Sequence, residues 1–249
     1  MRYVGGFVFA IAIMMSLGPA ARAQQEVTLT AADGLKISGT YYAAASKSAP
    51  IILLFHQAGS NRWEYAPIAP RLVKAGFSAL AIDARHGGEM WGHGNETVTR
   101  LGKEAGYLEA LPDLEAALAW ARKENASHKV IVWGSSYSSC LVFVLAAKHA
   151  GEIAGLLSFS PAEYFQNNKT LVHDAAAKVN IPVFTTSAKD AEEEEAARSI
   201  YEAVADKKDR VLFVPKAGGV HGSSTLRVDR NAEGAEENWA AVLAFLKKF

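Results

Sequence analysis

The stretch Val132 to Cys140, VWGSSYSSC, sets four serines into five positions between two apolar runs. A serine hydroxyl is a poor nucleophile until a base takes its proton, and it must be presented where an acyl carbon can reach it. One arrangement that does so is a strand, a sharp turn and a helix written G-x-S-x-G, with small residues two before and two after the nucleophile. Only Ser136 fits, with Gly134 before it and Ser138 after it, KVIVW as the strand and SCLVFVLAAKHAG as the helix. Ser135 is flanked by the bulky Trp133 and Tyr137, while Ser138 and Ser139 fall in the first turn of the helix. The competing reading, serines that merely cap a helix, needs no chemistry at all.

Around this stretch, apolar runs of five to eight residues alternate with amphipathic segments: PIILLFH, FSALAID, KVIVWG, IAGLLSFS, IPVFTTS and DRVLFVP. Their lack of polar alternation is that of parallel strands covered on both faces. Helices are expected in NRWEYAPIAPRLVKAG, GYLEALPDLEAALAWARKEN, YSSCLVFVLAAKHAG, NKTLVHDAAAKV, AEEEEAARSIYEAVADKK and AEENWAAVLAFLKKF. Two strand-like segments, EVTLTA and LKISGTYYA, precede them around Asp33-Gly34. The pattern predicts an α/β protein with a mainly parallel sheet, helices on both faces and functional residues at the carboxyl ends of the strands. The one long irregular connection, Ala84 to Gly106, leaves such an end and is rich in glycine.

The fold's chain order is nucleophile, acid, histidine. Asp190 ends IPVFTTSAKD, and His221 follows the last strand in RVLFVPKAGGVHGSS, so Asp190 is the expected acid and His221 the expected base. Glu192 to Glu195 are explained by a helix start, where carboxylates meet the positive end of the dipole. An oxyanion needs two N–H donors. The N–H of Tyr137 supplies one, and Ala58, or else Gln57, supplies the other from FHQAGSN, with His56 fixing that loop. Gln57, Trp91, Tyr164 and Phe165 are candidate pocket walls.

Assembled, these motifs resemble a small α/β-hydrolase, near the dienelactone-hydrolase-like and serine-esterase members of that superfamily. FHQAGS resembles the oxyanion loop, AIDARHGG the fourth-strand end, GSSYS the nucleophile turn, SAKD the acid turn and GGVHG the histidine loop. The resemblance implies an eight-stranded sheet with a minimal cap, since only Pro161 to Asn180 could hold a lid. Dienelactone hydrolases usually carry a cysteine nucleophile, whereas here Ser136 holds that place and Cys140, one helical turn on, reads as packing.

The remaining features narrow the class. The chain has 249 residues, 50% hydrophobic and 21% charged, enough for one sizeable core. Residues 1–23, MRYVGGFVFAIAIMMSLGPAARA, combine a basic start, an apolar stretch too short for a membrane span and an A-x-A ending, the marks of a cleaved secretory signal. Residues 24–249 would then form the catalytic domain, periplasmic or secreted, with no stable membrane insertion. Without Arg2 and Arg22, 24 basic face 26 acidic residues, which gives no attraction for nucleic acid. Cys140 is the only cysteine, so no internal disulfide can form. His86, Glu89, His93 and Glu96 match no known zinc spacing, and the chemistry requires no metal or organic cofactor. The expected function is hydrolysis of a small-molecule carboxylic ester, with a peptidase or amidase, or a non-catalytic binding module, as alternatives.

Overall fold

Strand β1 (Gln25–Thr30) turns through Gly34, at φ 86°, into the antiparallel β2 (Lys36–Tyr42). The computed structural model describes residues 1, 24–124 and 129–249, so the expected leader, Met1 apart, and His128 lie outside the described residues. Strands β3 (Ile51–Phe55), β4 (Ser78–Ile82), β5 (Val130–Ser135), β6 (Gly155–Phe159), β7 (Val183–Thr186) and β8 (Arg210–Phe213) follow in the positions of the six apolar runs. The sheet order is β1-β2-β4-β3-β5-β6-β7-β8, with β2 antiparallel to both neighbours and every pair from β4 to β8 parallel.

Alternate residues of the central strands serve two cores. Ile51, Leu53 and Phe55 pack with α3 (Leu111–Glu124) and α4 (Tyr137–Lys148), and the same core takes in α5 (Leu171–Ala176) and Ile200 of α6 (Ala191–Ala203). Ile52 and Leu54 face α1 (Ala69–Lys74) and α7 (Ala235–Leu246), where Leu72, Trp239, Val242 and Phe245 are buried. Each fully buried Leu or Ile contributes about 1.5–3 kcal/mol. Purely apolar strands are thus required by burial on both faces. Among the described residues, no helix is long and apolar enough to cross a membrane.

Three helical segments differ from expectation. NRWEYAPIAPRLVKAG is not one helix but a 3-10 turn, Arg62–Tyr65, followed by α1, because Pro67 and Pro70 lack the N–H groups a continuous helix would use. GYLEALPDLEAALAWARKEN likewise divides into a 3-10 turn, Leu108–Ala110, and α3. The connection read as irregular contains α2 (Glu96–Leu101), capped by the Asn95 side chain, which accepts from Val98 N–H at 2.9 Å, and closed by Gly102 at φ 80°. Six residues are too few for a hydrophobic period to register.

Asp83 and Arg85 brace that connection. Asp83 is buried and accepts from the Arg62 N–H at 2.8 Å, the Arg62 guanidinium and the Glu96 N–H at 2.9 Å. Arg85 donates to the buried Asp113 carboxylate and to Asp33. Two histidines of the loop are also engaged: His93 stacks on Trp63 with centroids 3.8 Å apart, and His86 packs edge-on against Tyr107 and Tyr137.

Candidate active site

Ser136 sits between β5 and α4 at φ 58° and ψ −124°, a region that L-residues occupy only when their surroundings impose it. The turn is tight because α4 starts at once. A Cβ on Gly134 would collide with the Ser138 carbonyl, so glycine is obligatory there. Ser138 has a structural use: its hydroxyl donates to the Phe55 carbonyl at 2.6 Å and accepts the Ser135 N–H at 2.8 Å. Ser139 donates to the Ser136 carbonyl, and Ser135 donates to Glu64 at 2.7 Å. Ser136 is the one serine of the cluster whose hydroxyl meets a histidine.

That histidine is His221, at the start of the 3-10 turn Gly222–Leu226 beyond β8, with Nε2 2.7 Å from Ser136 Oγ. Gly222 adopts φ 67° in contact with Ser135, which brings the loop down onto the turn. Nδ1 of His221 lies 2.7 Å from a Glu193 carboxylate oxygen.

The acid facing His221 is therefore Glu193, and the expectation for Asp190 is corrected. Asp190 is exposed and caps α6, accepting the N–H groups of Glu192 at 3.1 Å and Glu193 at 3.2 Å. Glu193 is the third residue of α6, its other oxygen held by the Ala188 N–H at 3.1 Å. The spacing Asp190-x-x-Glu193 is itself a helix-start signature that marks the first residue as cap. This signal was present in the sequence.

The charges support each other. Burial alone would raise the Glu193 carboxyl, but hydrogen bonds from His221 and Ser160, with the imidazole's charge, hold it below the usual carboxylate range. The His221 imidazole is raised above its ordinary value, chiefly by its hydrogen bond to Glu193, against burial, with the charges of Glu193 and Glu64 adding to it. Such a relay can take the proton of Ser136 onto Nε2 while the carboxylate stabilises the resulting imidazolium.

Of the expected oxyanion donors, the Gln57 N–H is committed to a Glu64 carboxylate oxygen at 2.8 Å. The N–H groups of Ala58 and Tyr137 make no hydrogen bond within the described protein, and Tyr137 opens α4, at the positive end of its dipole. His56 is a loop-fixing residue: Nε2 accepts the Ala84 N–H at 3.0 Å, which leaves Nδ1 to donate to the Gln57 carbonyl at 2.7 Å. Burial lowers its pKa, keeping the ring neutral.

The four expected wall residues divide between two clefts, one of which has His221 in its lining. Gln57 and Trp91 line an opening of about 630 Å³ together with Met90, Val220, His221 and Arg230. Trp91 is held at φ 61°, its Nε1 donating to Ser60 at 2.8 Å and its ring lying under the Arg227 guanidinium at 3.9 Å. Tyr164 and Phe165 line an aromatic cleft of about 580 Å³ with Tyr107, Leu108 and Leu171. Between β6 and β7 the chain forms only α5, so that connection holds no lid domain. Cys140 is buried, donates to the Ala162 carbonyl at 2.9 Å and has its thiol pushed up to about 12 by burial, which keeps it protonated and inert.

A mainly parallel eight-stranded sheet with a serine turn after β5, a carboxylate after β7 and a histidine after β8 defines the α/β-hydrolase class. Within it, residues 38–249 match the model of the Dienelactone hydrolase family, and the chain belongs to that family of hydrolases. Solved structures agree in fold. An esterase of Pyrococcus furiosus shares 20% identity over 91% of this chain and 93% of its own, with a TM-score of 0.65. The dienelactone hydrolase of Anabaena variabilis shares 16% over 91% and 98%, at 0.70. A thermostable carboxyl esterase of Bacillus coagulans shares 13% over 91% and 98%, at 0.69. No curated protein matches the sequence.

Proposed function

We propose that the chain hydrolyses small carboxylic esters through an acyl-enzyme formed on Ser136. His221 removes the hydroxyl proton as Ser136 attacks the acyl carbon, then returns it to the departing alcohol, and Glu193 orients the ring and stabilises the imidazolium. The N–H groups of Ala58 and Tyr137 receive the negative oxygen, and water repeats the sequence to release the acid. The reading rests on one observation, the continuous contact from Ser136 Oγ through both imidazole nitrogens to Glu193, at 2.7 Å on each side. The aromatic cleft suits the acyl group, since Tyr164 and Phe165 wall it and the Tyr164 hydroxyl donates to the carbonyl of Ser160 beside the site.

p-Nitrophenyl acetate, butyrate and octanoate are expected to be turned over while aminoacyl anilides are not. Dominant cleavage of the anilides would replace this reading by a peptidase. Export to the periplasm or beyond is proposed from the composition of residues 1–23. The protein recovered from fractionated bacterial cells is then expected to begin at Gln24, and an intact chain in the cytoplasmic fraction would refute export.

A further inference from the structure

Glu64 is fully buried in the 3-10 turn Arg62–Tyr65, directly behind the site, and the acyl-transfer chemistry above does not use it. One carboxylate oxygen accepts the Gln57 N–H of the oxyanion loop at 2.8 Å. The other accepts the Ser135 hydroxyl at 2.7 Å, one residue before Ser136. Ser135 Oγ in turn accepts the Ser223 N–H at 2.8 Å, two residues beyond His221. Loops from the ends of β3 and β5 thus meet on this carboxylate, and the loop after β8 joins them through the Ser135 hydroxyl.

The contact with Gln57 bears on the oxyanion donors directly. A trans peptide is planar, with its C=O and N–H pointing in opposite directions. His56 holds the Gln57 carbonyl from one side, so the Ala58 N–H of the same peptide is aimed the other way, while Glu64 holds the Gln57 N–H of the peptide before it. The loop is fixed at two successive peptide planes.

We propose that Glu64 is a positioning residue, its ionised carboxylate locking the oxyanion loop, the Ser136 turn and the His221 loop into one geometry. The inference rests on the serine-hydrolase reading above. Both oxygens accept here, the pattern of an ionised carboxylate: protonation or replacement by an amide puts a donor on one side, so the contact with Ser135 must reverse, with that hydroxyl turned from donor to acceptor. The groups facing Glu64 are Arg227, whose guanidinium donates to the Glu64 carbonyl at 3.1 Å, together with His221, Tyr65 and Tyr137. Burial outweighs the hydrogen bonds from Gln57 and Ser135 and the charges of Arg227 and His221, and pushes the carboxyl up to about 7. A carboxylate kept here without a direct ion pair is unfavourable for folding, since the folded state prefers the neutral acid.

The sign follows. Glu64 must be ionised and His221 neutral, so both groups switch activity off as pH falls, and log kcat/KM of the native enzyme on p-nitrophenyl butyrate should approach a slope of 2 on its acid side. In Glu64→Gln the slope should fall to 1, with kcat down about 100-fold, the scale of a small misplacement of catalytic groups, and KM within about twofold. The thermal midpoint of Glu64→Gln should exceed that of the native protein at pH 8 and converge with it towards pH 5, because the cost of the buried charge is absent at low pH. An unchanged kcat in Glu64→Gln, or a native acid limb of slope 1, would overturn the proposal. The native profile decides alone if the variant does not fold. Full activity in Ser136→Ala would instead sink the underlying hydrolase reading, whatever Glu64 does.

Discussion

Ser136→Ala is expected to lower kcat on p-nitrophenyl butyrate by about 10⁴- to 10⁶-fold, the range over which removing a serine nucleophile leaves only binding and oxyanion stabilisation. A fluorophosphonate should label the native protein on Ser136 and leave the variant unlabelled, as read by peptide mass. The expectation is specific because the three neighbouring hydroxyls are already spent. Ser135 donates to Glu64, Ser138 to the Phe55 carbonyl and Ser139 to the Ser136 carbonyl. Ser136 alone combines the strained φ of 58° with a histidine nitrogen 2.7 Å away. Label found on Ser135 or Ser138, or turnover surviving in Ser136→Ala, would show the wrong residue to have been chosen.

Glu193→Gln should cost about 10³- to 10⁴-fold in kcat, as removal of the orienting carboxylate does when the amide stabilises the wrong imidazole tautomer. Its pH profile carries a second signature. Because the hydrogen bond to Glu193 is the largest contribution raising His221, the variant's imidazole should titrate lower and its acid limb should move to lower pH. Asp190→Ala supplies the contrast. Asp190 binds two backbone N–H groups of α6 and does not reach His221, so kcat should stay within about threefold while stability falls by about 1 kcal/mol, the usual worth of a helix cap. The assignment fails if Asp190→Ala loses more activity than Glu193→Gln.

These two carboxylates show where sequence reading stops. Chain order places an acid after the seventh strand and a histidine after the eighth, and both stand there. Order along the chain does not say which of several neighbouring carboxylates turns inward. Asp190 is exposed at the helix end, whereas Glu193, one turn along, comes round to the face that meets the His221 loop. A spacing of three residues decides between a cap and a partner for histidine, and the D-x-x-E pattern was the local signal for it. Glu64 left a weaker trace: nothing near it in sequence marks a charged residue for burial, and its partners Gln57, Ser135 and the Ser135-bound Ser223 come from three distant loops.

What the sequence alone determined is what local and periodic forces fix. Apolar runs doubly buried became parallel strands, Gly134 and Ser138 admitted the tight turn at Ser136, and the glycines before His221 allowed its loop to close. What only the tertiary structure decided is which polar groups meet across elements: Glu193 rather than Asp190, Ala58 rather than Gln57 as the unengaged N–H, and Glu64 as the junction of two loops, with a third joined through Ser135. The physical reason is range. Backbone conformation and hydrophobic period are set within a few residues, whereas a hydrogen bond between residues 28, 71 or 88 apart exists only once the sheet has brought the strand ends together.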